Sequence, residues 1–236
     1  MRFDPPLAEA RLVSRYKRFL ADVELADGRT LTLHCPNTGS MQGCMPVGGK
    51  VWYSTSASPK RKYAHTWEQV EGPGGHRIGI HTGRANALVA EALEAGLIAE
   101  LLPFEGRRAE VRNGRSRVDF VLGDPDRGCH LEVKSVTLGV GGGLGLFPDA
   151  PSERARRHLG ELTERAVAGR PAALLYCVQH TGIERVAPAD AIDPAYGTAL
   201  RIAMAAGVQV LAWQAELSAS EARLVRSLPV LRSADA

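Results

Sequence analysis

Over the first 80 positions, apolar and polar residues alternate in short runs, the pattern of strands with one buried face. RLVSRYKRFLADVEL, TLTLHC and GKVWYSTS are such runs, and ADGR, with Asp27 and Gly28, marks a turn between the first two. They predict a meander of about four strands with no helix among them, which suits a small β-barrel. An OB-like barrel is one candidate, and barrels of that kind often bind nucleic acid on one face.

After EGPGGHR, read as a linker or turn, the period changes. Ala85, Leu88, Val89, Ala92 and Leu93 recur at helical spacing between Gly83 and Ala95. Thr82 is placed to cap that helix and Gly96 to close it. Strands are predicted near 108–113, 117–122 and 129–138. A second helix over 152–168 has Ala155, Leu159, Leu162 and Ala166 as its inner row, with Gly169 and Pro171 as stops. AALLYCVQ and VQVLAWQAEL read as strands buried on both faces, with the helix IDPAYGTALRIAMAAG between them. The predicted organisation is a barrel over residues 1–80 and an α/β domain over 81–236.

Composition changes this picture little. Of 236 residues, 44% are hydrophobic and 23% charged, ordinary values for a soluble globular chain. The longest apolar run is far too short for a membrane span, and the N-terminal residues show no apolar signal core. The expectation is a cytoplasmic protein with no membrane partner; a homo-oligomer is left open. Cys35, Cys44, Cys129 and Cys177 form no CxxC pair and are expected to be reduced thiols. The net charge of +3 is uneven: +4 over residues 1–80 and −1 over the remainder. Arginine supplies 24 of the 29 basic residues, which suits phosphate forks but is as readily a matter of base composition.

The stretch SRVDFVLGDPDRGCHLEVKSVTL carries the candidate chemistry. Side chains two apart on a strand share a face, so Glu132 and Lys134 point together, opposite Leu131 and Val133. Asp119 lies opposite Val118 and Phe120. Antiparallel pairing through GDPDRG brings all three polar groups to one place. Two neighbouring carboxylates repel and are costly to desolvate, and a hard divalent cation such as Mg²⁺ or Mn²⁺ removes both penalties. Such a cation would act on a phosphodiester, with Lys134 stabilising developing charge and Glu91, on the preceding helix, as a further ligand. A cross-strand salt-bridge cluster on an exposed sheet face explains the same three residues without a metal.

The hydrophobic-Asp-hydrophobic strand followed by Glu-x-Lys resembles the PD-(D/E)XK nuclease active site, with Val118 where that motif writes proline. Along the whole chain, FDPPLxxARLVxRYKRFLADV, LTLHCPNTGSM, VWYSTSxxxKRKYxHTWE, EVKSVTL, FPDAPSERxxRHLxEL and HTGIERVAPAxxID resemble the sugar fermentation stimulation protein A (SfsA) family. The resemblance implies an N-terminal OB-like β-barrel and a C-terminal PD-(D/E)XK, restriction-endonuclease-like α/β domain. It also implies DNA binding, historically tied to regulation of sugar metabolism. Asp119, Glu132 and Lys134 take the family's central positions, with Glu91 as the helix acid. Two functions follow: a metal-dependent deoxyribonuclease, or a non-catalytic DNA-binding regulator that kept the fold. Processing of RNA or of a nucleotide-derived ligand is a third.

Other segments have weaker claims. Arg15 and Arg18, with Lys60, Arg61, Lys62 and Tyr63, combine basic and aromatic residues for single- or double-stranded DNA, and Trp67 offers a stacking face; a solvated charge run explains them equally. Arg154, Arg157 and His158 lie outside the apolar row of their helix and face DNA in the functional reading. Arg157 also stands four residues from Glu161, a pairing distance. GVGGGLG lacks the lysine and spacing of a phosphate loop and reads as a flexible loop beside the site. Asn37, Thr38 and Ser40 in PNTGSM suit a tight turn.

Overall fold

The computed structural model describes residues 1–101, 104, 106–113 and 116–234. The first unit is built from β1 (Ala8–Tyr16), β2 (Leu20–Glu24), β3 (Thr30–His34), β4 (Lys50–Thr55), β5 (His65–Glu71) and β6 (Arg77–Gly79). Their order is β3-β2-β1-β4-β5-β6, and a parallel pairing of His34 with Thr66 joins β3 to β5 and closes the barrel. Leu12, Val23, Leu33, Val51, Trp67 and Val70 fill its interior. RLVSRYKRFLADVEL splits into β1 and β2 because Lys17 and Arg18 turn the chain through left-handed φ values of 49° and 64°. β5 and β6 lay hidden in the sequence pattern. Five successive β5 residues are buried, since β5 faces the barrel interior on one side and the rest of the molecule on the other.

The second unit contains β7 (Arg107–Asn113), β8 (Ser116–Leu122), β9 (Cys129–Val136), β10 (Leu138–Gly139), β11 (Leu144–Phe147), β12 (Ala172–Val178), β13 (Arg185–Pro188), β14 (Gln209–Leu217) and β15 (Ala222–Leu228). Its helices are α1 (Arg84–Glu94), α2 (Glu153–Val167) and α3 (Pro194–Ala205). Six strands form one sheet in the order β15-β14-β12-β9-β8-β7, parallel at its centre and antiparallel at both edges. Leu88 and Val89 of α1 pack with Leu131 and Leu175 on one face. Leu159 and Leu162 of α2 and Leu200 of α3 pack with Leu174 and Tyr176 on the other. β12 is therefore buried at every position, as its continuous apolar run requires.

The helix ends follow local chemistry. Ser152 caps α2 by accepting the Ala155 N–H at 3.1 Å, and Asp193 caps α3 by accepting the Tyr196 N–H at 2.9 Å. Thr82 does not cap α1 with its side chain; Gly83 occupies the cap position and the Thr82 carbonyl accepts the Ala85 N–H instead. GVGGGLG forms a hairpin between β10 and β11, with three consecutive glycines at φ of 92°, 55° and 74°. A side chain at any of the three would be strained. All four cysteines are free and buried, and burial pushes the thiols of Cys44, Cys129 and Cys177 up to about 12, which leaves them unreactive.

The two units are tied together over a broad front. The Gly79 N–H donates to the Gln179 carbonyl at 2.8 Å, the Thr181 N–H to the Arg77 carbonyl at 3.0 Å, and the Gln69 amide to the Ser218 carbonyl at 3.0 Å. Phe3 and Leu7 donate their N–H groups to the carbonyls of Ser220 and Ala219, so the first residues lie along the second unit before the barrel begins. No helix among the described residues is long and apolar enough to cross a membrane.

Candidate functional site

The site forms where β8 and β9 part. Their ladder runs from Leu122 and Cys129 to Phe120 and Leu131, and the pairing stops there. Asp119 turns its carboxylate into the gap and accepts the Val133 N–H at 2.8 Å, so a side chain satisfies a main-chain donor the ladder has released. The other Asp119 oxygen accepts from the Asn86 amide of α1 at 2.9 Å. Glu132 and Lys134 follow on the same face of β9, with the Lys134 ammonium 2.5 Å from Glu132 Oε1. His158, on α2, donates from Nδ1 to that same oxygen. The ammonium and the ring N–H both donate to Glu132, so their 3.3 Å approach to each other is a shared destination and not a bond between them.

The two carboxylates are set apart electrically. Burial and then the nearby Glu132 charge push the Asp119 carboxyl above its ordinary value, against the Val133 and Asn86 hydrogen bonds. Burial also opposes the Glu132 charge, but the His158 ring and the Lys134 ammonium together outweigh it and hold Glu132 ionised, below the usual carboxylate range. A raised, crowded Asp119 beside an ionised Glu132 has the donor chemistry of a hard-cation site. Among the described residues no third His, Cys, Asp or Glu joins them in a ligand cluster. Two carboxylates with the remaining positions left to water suit Mg²⁺, which dehydrates reluctantly, better than a closed all-protein cage would.

Comparison with known proteins places the chain. Residues 83–221 match the model of the sugar fermentation stimulation protein RE domain, and residues 13–80 match that of the SfsA N-terminal OB domain. The chain belongs to the SfsA family. Sugar fermentation stimulation protein homologues of Shewanella loihica and Azotobacter vinelandii are 54% and 55% identical to it over 233 residues, covering 98% of this chain and 99% of each relative. The solved structure of Pyrococcus furiosus SfsA, in complex with Ca²⁺, superposes with a TM-score of 0.86 at 26% identity and covers 98% of both chains. The OB barrel and the α/β unit expected from the sequence are therefore the SfsA architecture.

The remaining predicted residues are distributed unevenly in this SfsA chain. Glu91 stands apart from the triad: it is half exposed and pairs with the Met1 ammonium, so α1 contributes Asn86 in its place. The two residues lie on opposite edges of the helix's apolar stripe, each about 60° from a buried position, and only the docking of α1 selects between them. His158 is 4% exposed and bound to Glu132, so it does not face solvent for DNA. Its position, about 40° from Leu162 around α2, adjoins the apolar stripe, and that was the signal for it. Arg154 and Arg157 are exposed on the same helix.

Arg15 and Arg18 serve the barrel loop 36–41. Arg15 donates to the carbonyls of Arg18, Asn37 and Gly39, and Arg18 donates twice to the Thr38 carbonyl. Ser40 then reaches across to Asp149 of the second unit, with its hydroxyl 2.8 Å from Asp149 Oδ2, and the Met41 N–H adds to the same oxygen at 3.2 Å. The PNTGSM segment is thus a turn, with Asn37 accepting the Gly39 N–H, and also one wall of a cleft of about 550 Å³ whose floor holds Val133, Lys134 and Ser135. Lys60, Arg61, Lys62 and Tyr63 lie on the β4–β5 loop and line none of this cleft. Lys62 sits 5.7 Å from the Tyr63 ring centre and Arg61 donates to Thr66 at 3.0 Å. Trp67 is fully buried in the barrel and donates its ring N–H to the Gln69 carbonyl, which removes it as a stacking face.

Proposed function

We propose that this SfsA-family protein is a divalent-metal-dependent deoxyribonuclease with a PD-(D/E)XK-type site. The observation that carries the reading is the convergence of Asp119, Glu132 and Lys134 in the gap between β8 and β9, with Lys134 reaching the floor of a cleft walled by both units. Asp119 and Glu132 would hold Mg²⁺ or Mn²⁺; their hard oxygens and mutual repulsion fit such an ion, and the Pyrococcus furiosus relative carries Ca²⁺, a cation of the same preference. When bound, the ion supplies a Lewis acid for a phosphodiester oxygen and lowers the pKa of water. Asn86 and the Val133 N–H aim the Asp119 carboxylate, and His158 aims Glu132. Lys134 leaves Glu132 for the substrate and stabilises the charge that develops on the phosphoryl oxygens. The barrel contributes the loop 36–41 as the opposite wall of the cleft.

The test is cleavage of labelled single- and double-stranded DNA in Mg²⁺, Mn²⁺ or EDTA, with wild type and Lys134→Ala compared and binding read in the same samples. Loss of cleavage in EDTA and in the variant, with binding kept, supports a nuclease whose lysine acts in chemistry. Binding without cleavage in every metal would sink the enzyme and leave a DNA-binding regulator that retains the fold.

A further inference from the structure

Two openings meet at the triad. The interdomain cleft reaches Lys134 from one side. From the other, a depression of about 400 Å³ reaches Asp119 and is lined by Arg112 and Arg117 of the β7–β8 hairpin and by Arg154 and Arg157 of α2, with Glu110 and His158 completing it. Arg154 lines both openings, so the two lie side by side at the triad. Six other arginines, Arg29, Arg84, Arg107, Arg156, Arg201 and Arg223, form salt bridges with carboxylates. Among the described residues, none of the four arginines around the depression does so. Four guanidinium groups outnumber the carboxylates of Glu110 and Asp119 in the same concavity, and the positive surplus favours an anion there.

The size of the first opening says what form that anion takes. A volume of about 550 Å³ is that of a small-molecule pocket, room for a base or two and not for a paired duplex. The cleft walls are also held together. Ser40 is hydrogen-bonded to Asp149 across the cleft, Arg15 and Arg18 brace the loop, with Arg18 also lining the cleft, and the main-chain bonds at Gly79 and Thr181 fix the barrel against the second unit. The wall residues suit bases more than phosphates: Asn37 and Thr38 offer hydrogen-bonding groups on one side, and Leu146 and Phe147 offer apolar surface on the other.

We propose that the protein takes a single polynucleotide strand, with bases held in the interdomain cleft and the backbone phosphates beyond the triad held by Arg112, Arg117, Arg154 and Arg157. This rests on reading Asp119, Glu132 and Lys134 as the reacting end of a nucleic-acid site. A paired duplex is excluded from the cleft unless its strands separate locally. The hairpin arginines are the part the triad motif does not foretell, since they come from β7 and the start of β8.

The experiment is fluorescence anisotropy in EDTA, where binding is read without turnover, using a labelled single strand, the blunt duplex of the same sequence, and the matching RNA strand. The single strand is expected to bind at least about tenfold more tightly than the duplex, the scale of one or two stacked bases. On a single strand each neutralised phosphate adds about −0.7 to the slope of log affinity against log salt, so Arg112→Ala/Arg117→Ala is expected to make the slope shallower by about 1.4, and lysine at both positions to restore it. Misfolding would abolish binding without that graded change, and a melting curve for each variant identifies it. Duplex binding equal to single-strand binding, or a slope unchanged in the alanine variant, overturns the inference. Tighter binding of RNA than DNA keeps the strand state and changes the sugar. The nuclease reading fails separately: a preserved single-strand preference with no cleavage in Mg²⁺ or Mn²⁺ removes the enzyme and keeps the strand, whereas equal cleavage of duplex and single strand does the reverse.

Discussion

The Asp119 carboxylate accepts the Val133 main-chain N–H at 2.8 Å, at the step where β8 and β9 cease to pair. One side chain thereby keeps the strands apart and closes the hydrogen-bond account of the separated backbone. The position is uncomfortable for a charge, because burial and Glu132 both raise the Asp119 pKa. Asp119→Asn keeps the shape and an acceptor for Val133 but removes the repulsion. Its melting temperature in EDTA is expected to equal or exceed that of wild type, while cleavage falls at least about 100-fold, the scale of losing one preorganised electrostatic group. A variant several degrees less stable than wild type would show that Asp119 is there for the fold.

Asn86 and Glu91 offer a paired test of which edge of α1 serves the site. Glu91 meets the Met1 ammonium at the surface, so Glu91→Gln is expected to leave cleavage within about twofold of wild type, in line with the small worth of exposed ion pairs. Asn86→Ala frees an Asp119 oxygen and is expected to lower activity or metal affinity about 10- to 100-fold, as outer partners of a metal ligand do. Steady-state cleavage over a metal titration reads both. Reversal of the two effects would return the acid role to Glu91.

The Ser40 hydroxyl bridges the units at the cleft mouth. Ser40→Ala removes that bridge at an exposed position, so the melting temperature should hardly move. The Michaelis constant for single-stranded DNA is expected to rise roughly three- to tenfold, the equivalent of about 1 kcal/mol for a lost hydrogen bond. An unchanged constant would mean the loop does not help to hold substrate.

Acid should weaken the molecule through its buried histidines. Burial and the neighbouring His76 push His180 down to about 4, and its Nδ1 accepts the Gly182 N–H at 3.0 Å. Burial likewise takes His130 to about 4. The unfolded chain therefore binds these protons first, near the ordinary histidine value of 6.5. The stability that the neutral rings contribute is complete above pH 6.5 and is lost as pH falls from 6.5 toward 4. His180→Asn keeps an acceptor without titrating, so its denaturant midpoint should decline less steeply than that of wild type across this interval. Parallel declines would exclude His180 as a source.

Much of the site was legible because strand periodicity is a property of the backbone. A repeat of two puts Glu132 and Lys134 together whatever surrounds β9, and GDPDRG between two apolar runs returns the chain so that Asp119 meets them. The continuous apolar run of β12 likewise announces a strand covered on both faces. β5 was not legible, because a strand enclosed on both sides by two units shows neither alternation nor a clean apolar run.

The sequence by itself determined the two-unit architecture, the family, and the three polar residues that share the β8–β9 gap, since each depends on local spacing or on long motifs. Only the tertiary structure decided their company. It placed Asn86 and not Glu91 beside Asp119, turned His158 inward to Glu132, spent Arg15 and Arg18 on loop carbonyls, and joined Ser40 to Asp149 across 109 residues of chain. Each of those choices is a contact between elements whose relative position no single stretch encodes: a helical stripe has two edges, and the packing of whole elements against the sheet selects the one that faces the site.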